Sequence, residues 1–265
     1  MDIYMILAID IGNTGTAFGF YKNEAMFHHM SIFTKPHRSI DEYSMLLQNI
    51  CIRKGIDTSY IDGCIISSVV PPLTEQVRQS VENVFTVKPL IIAHGVKTGL
   101  NIRIDNHTEL GSDIVANTVA AASMLNKPFA VVDLGTATTI AAVNNTGELI
   151  GVIIVPGVRL SLDALSETAA ELPYISLVTP KSLLGKNTED SMLSGCVYGT
   201  AAMIDGIIER LKSEMKTDEL SVVACGGLAD KVIPFCNNNI IVNQFLTLDG
   251  LHQIYNLNQK HKKLL

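Results

Sequence analysis

The sequence predicts an α/β protein built from two duplicated domains, and three observations predict it. A short acidic, glycine-rich cassette occurs twice, as Ile9-Asp10-Ile11-Gly12-Asn13-Thr14 and, about half a chain later, as Val132-Asp133-Leu134-Gly135-Thr136-Ala137-Thr138-Thr139. Strand-like and helix-like runs alternate in both halves, the pattern of sheets flanked by helices. The chain has 265 residues, 47% hydrophobic and 17% charged, enough apolar material for two cores of ordinary size. No Pro-rich or Ser-rich linker separates the halves, so the expected division is 1–118 and 119–265, with the join inside a helix at about Ser112 to Asn126, before Lys127-Pro128.

Taken in order, residues 5 to 22 read as two strands joined at Gly12 to Gly15, the second running from Thr16 to Tyr21. A helix follows from about Ile40 to Lys54, a strand from Gly63 to Val69, a helix from about Leu73 to Val84 and a strand from Pro89 to Ala93. The second half repeats the opening. Phe129 to Asp133 enters, Thr138 to Val143 returns, and the turn Asn144-Asn145-Thr146-Gly147 leads into Glu148 to Val155. A long helix from about Thr188 to Met215 carries Gly195 and Gly199 four apart, which admits either a domain or subunit contact or ordinary close packing in the core. The strand Leu220 to Val223 then runs into Ala224-Cys225-Gly226-Gly227-Leu228-Ala229, which opens a further helix.

Each cassette places an Asp at the end of an apolar run, then a Gly that lets backbone approach a ligand, then hydroxyls that donate to phosphate oxygens. A carboxylate in such a run requires a cation or a hydrogen-bond donor. Two such cassettes facing each other would clamp a metal nucleotide, with the glycine loop at 224–229 suited to the nucleoside side. A single cassette is equally a plain strand turn; the pairing is what argues for a ligand. Two common nucleotide signatures are missing. Gly185-Lys186 is followed by Asn187 and has Pro180 where a P-loop needs its first Gly, and Gly12-Asn13-Thr14-Gly15 does not complete Gly-x-Gly-x-x-Gly. Phosphate binding would therefore use another geometry, and a hairpin with an Asp that holds magnesium through water is one such geometry.

The balance of 26 acidic to 20 basic residues, a formal charge of −6, disfavours nucleic acid and anionic membranes as partners. The run behind Met1-Asp2-Ile3-Tyr4 has no basic flank and is cut by Asp10, unlike a signal peptide, and no stretch approaches the roughly 20 apolar residues of a membrane span. Five widely spaced cysteines without Cys-x-x-Cys fit a reducing cytoplasm better than a disulfide framework or zinc site. His28, His29, His94 and His107 lack ligand spacing and receive no function.

Further segments join the two cassettes: Ser67-Ser68-Val69-Val70-Pro71-Pro72, Gly111-Ser112-Asp113 with Ala116-Asn117, Pro156-Gly157, Thr168-Ala169-Ala170-Glu171-Leu172-Pro173, Gly185-Lys186-Asn187-Thr188, Gly195 and Gly226-Gly227-Leu228-Ala229. In their order and spacing they resemble, nearly end to end, the type III pantothenate kinases. These lie within the superfamily of acetate kinases, sugar kinases, heat-shock ATPases and actin. The resemblance implies two duplicated ribonuclease H-like (actin-like ATPase) domains, each a mixed sheet flanked by helices. It implies ATP-dependent phosphorylation of pantothenate, the first step toward coenzyme A, by a cytoplasmic homodimer that uses magnesium and a monovalent cation, potassium or ammonium.

Carried over, Asp10, Ile11, Gly12, Asn13, Thr14, Gly15, Thr16 and Ala17 would bind ATP phosphates, with Thr136 contacting ATP from the second hairpin. Asp10 would hold magnesium through water and Asp133 the monovalent cation. Asp113 would be the catalytic base, and Gly111, Ser112, Asp113, Ile114 and Thr188 would line the pantothenate site. An Asp at a helix start is kept ionised by the dipole, and it equally serves as a plain helix cap. Three positions depart from the family pattern: Ile114 where an arginine usually follows the Asp, Ile104 where a tyrosine stands nine residues before it, and Cys225 where a Thr precedes the Gly-Gly pair. The lost guanidinium removes a carboxylate partner worth roughly 1.5 to 3 kcal/mol, for which Arg103, Arg159 and Lys186 are candidate substitutes. Two alternatives stay open: a kinase of the same frame for another small hydroxyl compound, and a non-catalytic regulatory or accessory relative.

Overall fold

A computed structural model describes residues 4–106 and 109–262, with side chains through 259. Met1, Asp2, Ile3 and His107 lie outside the described residues. The chain forms two compact units, one from Met1–Gly99, Asn106–Ala120 and Thr247–Leu265, the other from Leu100–Asp105 and Ala121–Leu246.

The first unit is built on a five-stranded sheet in the order β3-β2-β1-β4-β5, from β1 (Met5–Ile11), β2 (Gly15–Lys22), β3 (Ala25–Phe33), β4 (Ile61–Ser68) and β5 (Leu90–Ile91). β1 pairs antiparallel with β2 and parallel with β4. This central place explains its composition: Ile6, Leu7, Ala8 and Ile9 are fully buried, as a strand covered on both faces requires. Helix α1 (Ile40–Lys54) starts with a capping box, Ser39 accepting from the Glu42 amide while Glu42 accepts from the Ser39 amide. It ends at Gly55, whose φ of 64° is the left-handed value a glycine cap supplies. α2 (Pro71–Phe85) begins on its own Pro71-Pro72 pair, so those prolines of the Ser67–Pro72 segment initiate a helix.

Helix α3 (Ser112–Met124) and the C-terminal helix α7 (Leu246–Lys262) complete this unit, α3 running on past Ala120 into the other. They meet backbone to backbone, since a methyl on Gly250 would stand 1.9 Å from the Ala116 carbonyl oxygen. Thr247 donates to the buried Asn117 side chain at 2.7 Å, so Ala116-Asn117 is the seat for α7. Farther along, Tyr21 donates to Asp249 at 2.8 Å and His252 stacks on the Tyr21 ring, centroids 4.3 Å apart and planes 6° from parallel. Burial raises the Tyr21 hydroxyl's pKa and lowers that of His252.

The second unit repeats the plan. Its sheet runs β11-β10-β7-β8-β9-β6, from β6 (Asn101–Ile102), β7 (Phe129–Leu134), β8 (Ala137–Val143), β9 (Glu148–Pro156), β10 (Ser221–Cys225) and β11 (Ile241–Val242). β7 pairs antiparallel with β8 and parallel with β10, as β1 does with β2 and β4. Two copies of one mixed sheet flanked by helices are what the repeated cassette predicts. Helices α4 (Val158–Thr168), α5 (Thr188–Met215) and the short α6 (Ala229–Val232) belong to this unit. α5 is long and apolar enough in composition to cross a membrane. Its Met192, Leu193, Val197, Ala201, Ile204 and Ile208 nevertheless lie in the unit's core. The five cysteines are free thiols, four of them buried.

Candidate active site

In the first unit the site begins where β1 and β4 end. Asp10 lies beside Ser67 in the parallel register, at the carboxyl ends of the strands, where α/β sheets place ligands. The Ser67 hydroxyl is 2.9 Å from that of Ser112, and Ser112 also accepts from the Ser68 amide at 3.1 Å. These bonds pin the start of α3 to the end of β4. They set Asp113, the next residue, at the same end of the sheet as Asp10. Ser112, expected to line the pantothenate site, anchors this loop through the same bonds. The Ile114 side chain is 8% exposed and packs inward. Asp113 is half-buried and accepts from the Ile114 amide at 2.8 Å.

Between β1 and β2 the turn exposes Asn13, Thr14 and Gly15, while Gly12 is half-buried and donates to the Gly15 carbonyl at 2.9 Å. Ile11 and Thr16 are fully buried, and Ala17 is half-buried. The exposed tip and its backbone therefore present themselves to a ligand.

The corresponding turn of the second unit is one residue shorter, Gly135-Thr136 between β7 and β8. Asp133 is half-buried and stands beside Cys225 on β10, and Thr136 is exposed. Gly226, with φ of 89°, passes so close that a methyl there would lie 2.5 Å from Asp133 Oδ1 and 2.6 Å from the Leu134 carbonyl carbon. Gly157 seals the other side, its amide donating to the Thr136 carbonyl at 3.1 Å, and a methyl there would meet that oxygen at 2.3 Å. Both glycines are needed for close backbone approach. Cys225 is buried on β10, as a small apolar residue would be.

Gly185-Lys186-Asn187-Thr188 forms the start of α5. Asn187 caps the helix by accepting from the Asp190 amide at 2.8 Å. A methyl on Gly185 would stand 2.3 Å from the Ser191 amide nitrogen. These residues, with Ser191, Met192, Leu165 and Leu172, line a groove of about 640 Å³. Of the three candidate cations, Arg103 is bound to Glu148 at 2.9 Å and Arg159 to Asp163 at 2.7 Å, whereas Lys186 lines the groove beside Thr188. The anchors Ser67 and Ser68 lie in a segment the sequence singles out, but only the fold reveals their pairing with Ser112.

Among the described residues no three His, Cys, Asp or Glu side chains gather into a metal cage. Single carboxylates at strand ends suit ions that also take water and phosphate oxygens as ligands.

Two mixed sheets with an acidic hairpin at the same place in each define the actin-like ATPase class. An activator of 2-hydroxyisocaproyl-CoA dehydratase from Clostridium difficile, solved with bound ADPNP, shares this fold at 13% identity, with a TM-score of 0.59 over 98% of this chain and 97% of its own. A family model described as type III pantothenate kinase matches residues 6–210. Type III pantothenate kinases of Halalkalibacterium halodurans and an Exiguobacterium species are each 41% identical, over 96% and 97% of this chain and the whole of theirs. The chain belongs to the type III pantothenate kinase family.

Proposed function

We propose that the chain transfers the γ-phosphoryl group of ATP to the 4′-hydroxyl of pantothenate, giving 4′-phosphopantothenate and ADP. The observation that carries the residue assignment is the Ser67–Ser112 link, which sets a half-buried carboxylate, Asp113, at the strand ends that also carry Asp10. Phosphoryl transfer needs in-line placement and charge neutralisation more than covalent help. Asp113 accepts the hydroxyl proton as the oxygen–phosphorus bond forms. The tip of the first hairpin receives phosphate oxygens, and Thr136 contacts the nucleotide from the second.

Asp10 would hold magnesium through water, and Asp133 would hold a potassium or ammonium ion. Bound there, the cations supply positive charge against the phosphates. Gly111, Ser112 and Asp113 belong to the acceptor end, where Ser112 acts by fixing the loop. Thr188 lines the pantothenate site, and Lys186 beside it meets the substrate carboxylate, an ion pair the buried Ile114 does not offer. ADP release should saturate with pantothenate and require potassium or ammonium. Lys186→Met should raise the pantothenate KM about tenfold and leave that of ATP unchanged. Turnover indifferent to pantothenate or to the monovalent cation would sink the assignment.

The enzyme acts as a homodimer. Gly195 and Gly199 are exposed on α5, and methyl groups there would meet nothing within 4 Å. They line a groove of about 350 Å³ with Val155, Pro156 and Met203, beside the exposed Ile154. Among the described residues β9 pairs with β6 at Glu148 and Leu149 alone, which leaves the rest of that apolar edge open. Light scattering should give about twice the 28.7 kDa of one chain. A mass equal to one chain at assay concentrations would refute the dimer.

A further inference from the structure

We propose that Thr34, immediately after β3, is a positioning residue for the ATP-binding hairpin; the inference rests on the reading of that hairpin as the phosphate loop. Thr34 is fully buried, so it does not touch substrate. Its amide donates to the Thr14 carbonyl at 2.9 Å and its hydroxyl donates to the Gly12 carbonyl at 2.7 Å. With its single proton on Gly12, the Thr34 oxygen accepts from the buried Thr16 hydroxyl 3.1 Å away. One side chain thus grips the turn at its first residue and at the strand that leaves it.

The consequence is directional. The Gly12–Asn13 peptide is not among the cis bonds of the chain, so its C=O and N–H point opposite ways. Drawing the Gly12 oxygen back to buried Thr34 turns the Asn13 amide away from Thr34, on the exposed tip that meets phosphate. The second hairpin provides an internal comparison. There Gly157 takes the place of Thr34, its amide donating to the Thr136 carbonyl as Thr34's does to Thr14. Glycine has no hydroxyl to offer. Accordingly Thr138, the counterpart of Thr16, is buried with an oxygen that has no hydrogen-bond partner among the described residues. The side-chain brace is particular to the first hairpin.

The test is steady-state kinetics on Thr34→Val, Thr34→Ser and the double variant Thr16→Val/Thr34→Val, with Asp10→Asn in parallel. Valine keeps the shape and the amide bond but loses the hold on Gly12. The ATP KM should rise about tenfold and the pantothenate KM should stay within about twofold of wild type. Serine should restore the ATP KM. The double variant leaves neither hydroxyl orphaned, so it should recover stability while the ATP KM stays high. Wild-type ATP KM in both valine variants, or equal rises in both KM values with a lowered Tm, would overturn the proposal. If Asp10→Asn retains wild-type ATP kinetics, the phosphate-loop reading itself fails; if it is crippled while Thr34→Val is not, only the positioning role fails.

Discussion

Asp113→Asn should lower kcat by about 10²- to 10⁴-fold while the protein stays folded and still binds ATP, the range lost when a positioned general base is removed. The substitution is nearly isosteric. The carboxamide oxygen it introduces can still accept from the Ile114 amide, as Asp113 does at 2.8 Å, so the start of α3 keeps its local bond. The anchor through Ser112 to Ser67 and Ser68 is untouched. Only the ability to take up the acceptor's proton is lost. Measured side by side, kcat should collapse while Tm stays within a few degrees. Retention of more than a tenth of wild-type kcat would reduce Asp113 to a helix-cap residue.

Gly226→Ala should damage both stability and the cation requirement. At φ of 89° an alanine is strained, which costs roughly 1–3 kcal/mol. The added methyl would also lie 2.7 Å from the Leu134 amide nitrogen and 2.5 Å from Asp133 Oδ1. β7 sits between β8 and β10 with Val132 and Leu134 fully buried, so it has little room to retreat. Asp133 is the group that must give way. If Asp133 is the cation ligand as proposed, the potassium concentration for half-maximal activity should rise about tenfold or more as it is displaced, and Tm should fall. Unchanged potassium dependence with an unchanged Tm would separate Gly226 from the proposed cation site.

Where local chemistry decides, the sequence is readable. α1 and α5 span the residues expected from it, Ile40–Lys54 and Thr188–Met215, because Ser39, Gly55 and Asn187 stop or start helices by bonds within a few positions. Both acidic hairpins are legible because an Asp ending an apolar strand is conspicuous. β3 is not: its inward residues Met26, His28 and Met30 are only half-buried, so the alternation is faint, and His28 stacks on Phe20. α4 and α7 also lie beyond the sequence reading. The residues that fix α7, Tyr21 and Asn117, lie more than a hundred positions from their partners Asp249 and Thr247. The expected strand Pro89 to Ala93 shrinks to Leu90–Ile91 at the sheet edge.

The site divides in the same way. The roles proposed for Asp10, Asp113 and Asp133 can be named from motifs, since their chemistry is carried by residue type. Thr34 and the Ser67–Ser112 link cannot, because a hydroxyl's role depends on which distant carbonyl or hydroxyl the sheet brings to it. Arg103 and Arg159 are as eligible as Lys186 by residue type, and only their carboxylate partners in the fold set them apart.

The central claim is that this frame phosphorylates pantothenate on its 4′-hydroxyl. Phosphorus NMR of a reaction containing the protein, ATP, magnesium, potassium and pantothenate tests it most directly. A new phosphomonoester resonance should grow in step with ADP, one for one, and be absent when pantothenate is left out. ADP appearing with inorganic phosphate alone, or a phosphomonoester formed only on some other hydroxyl compound, would contradict it.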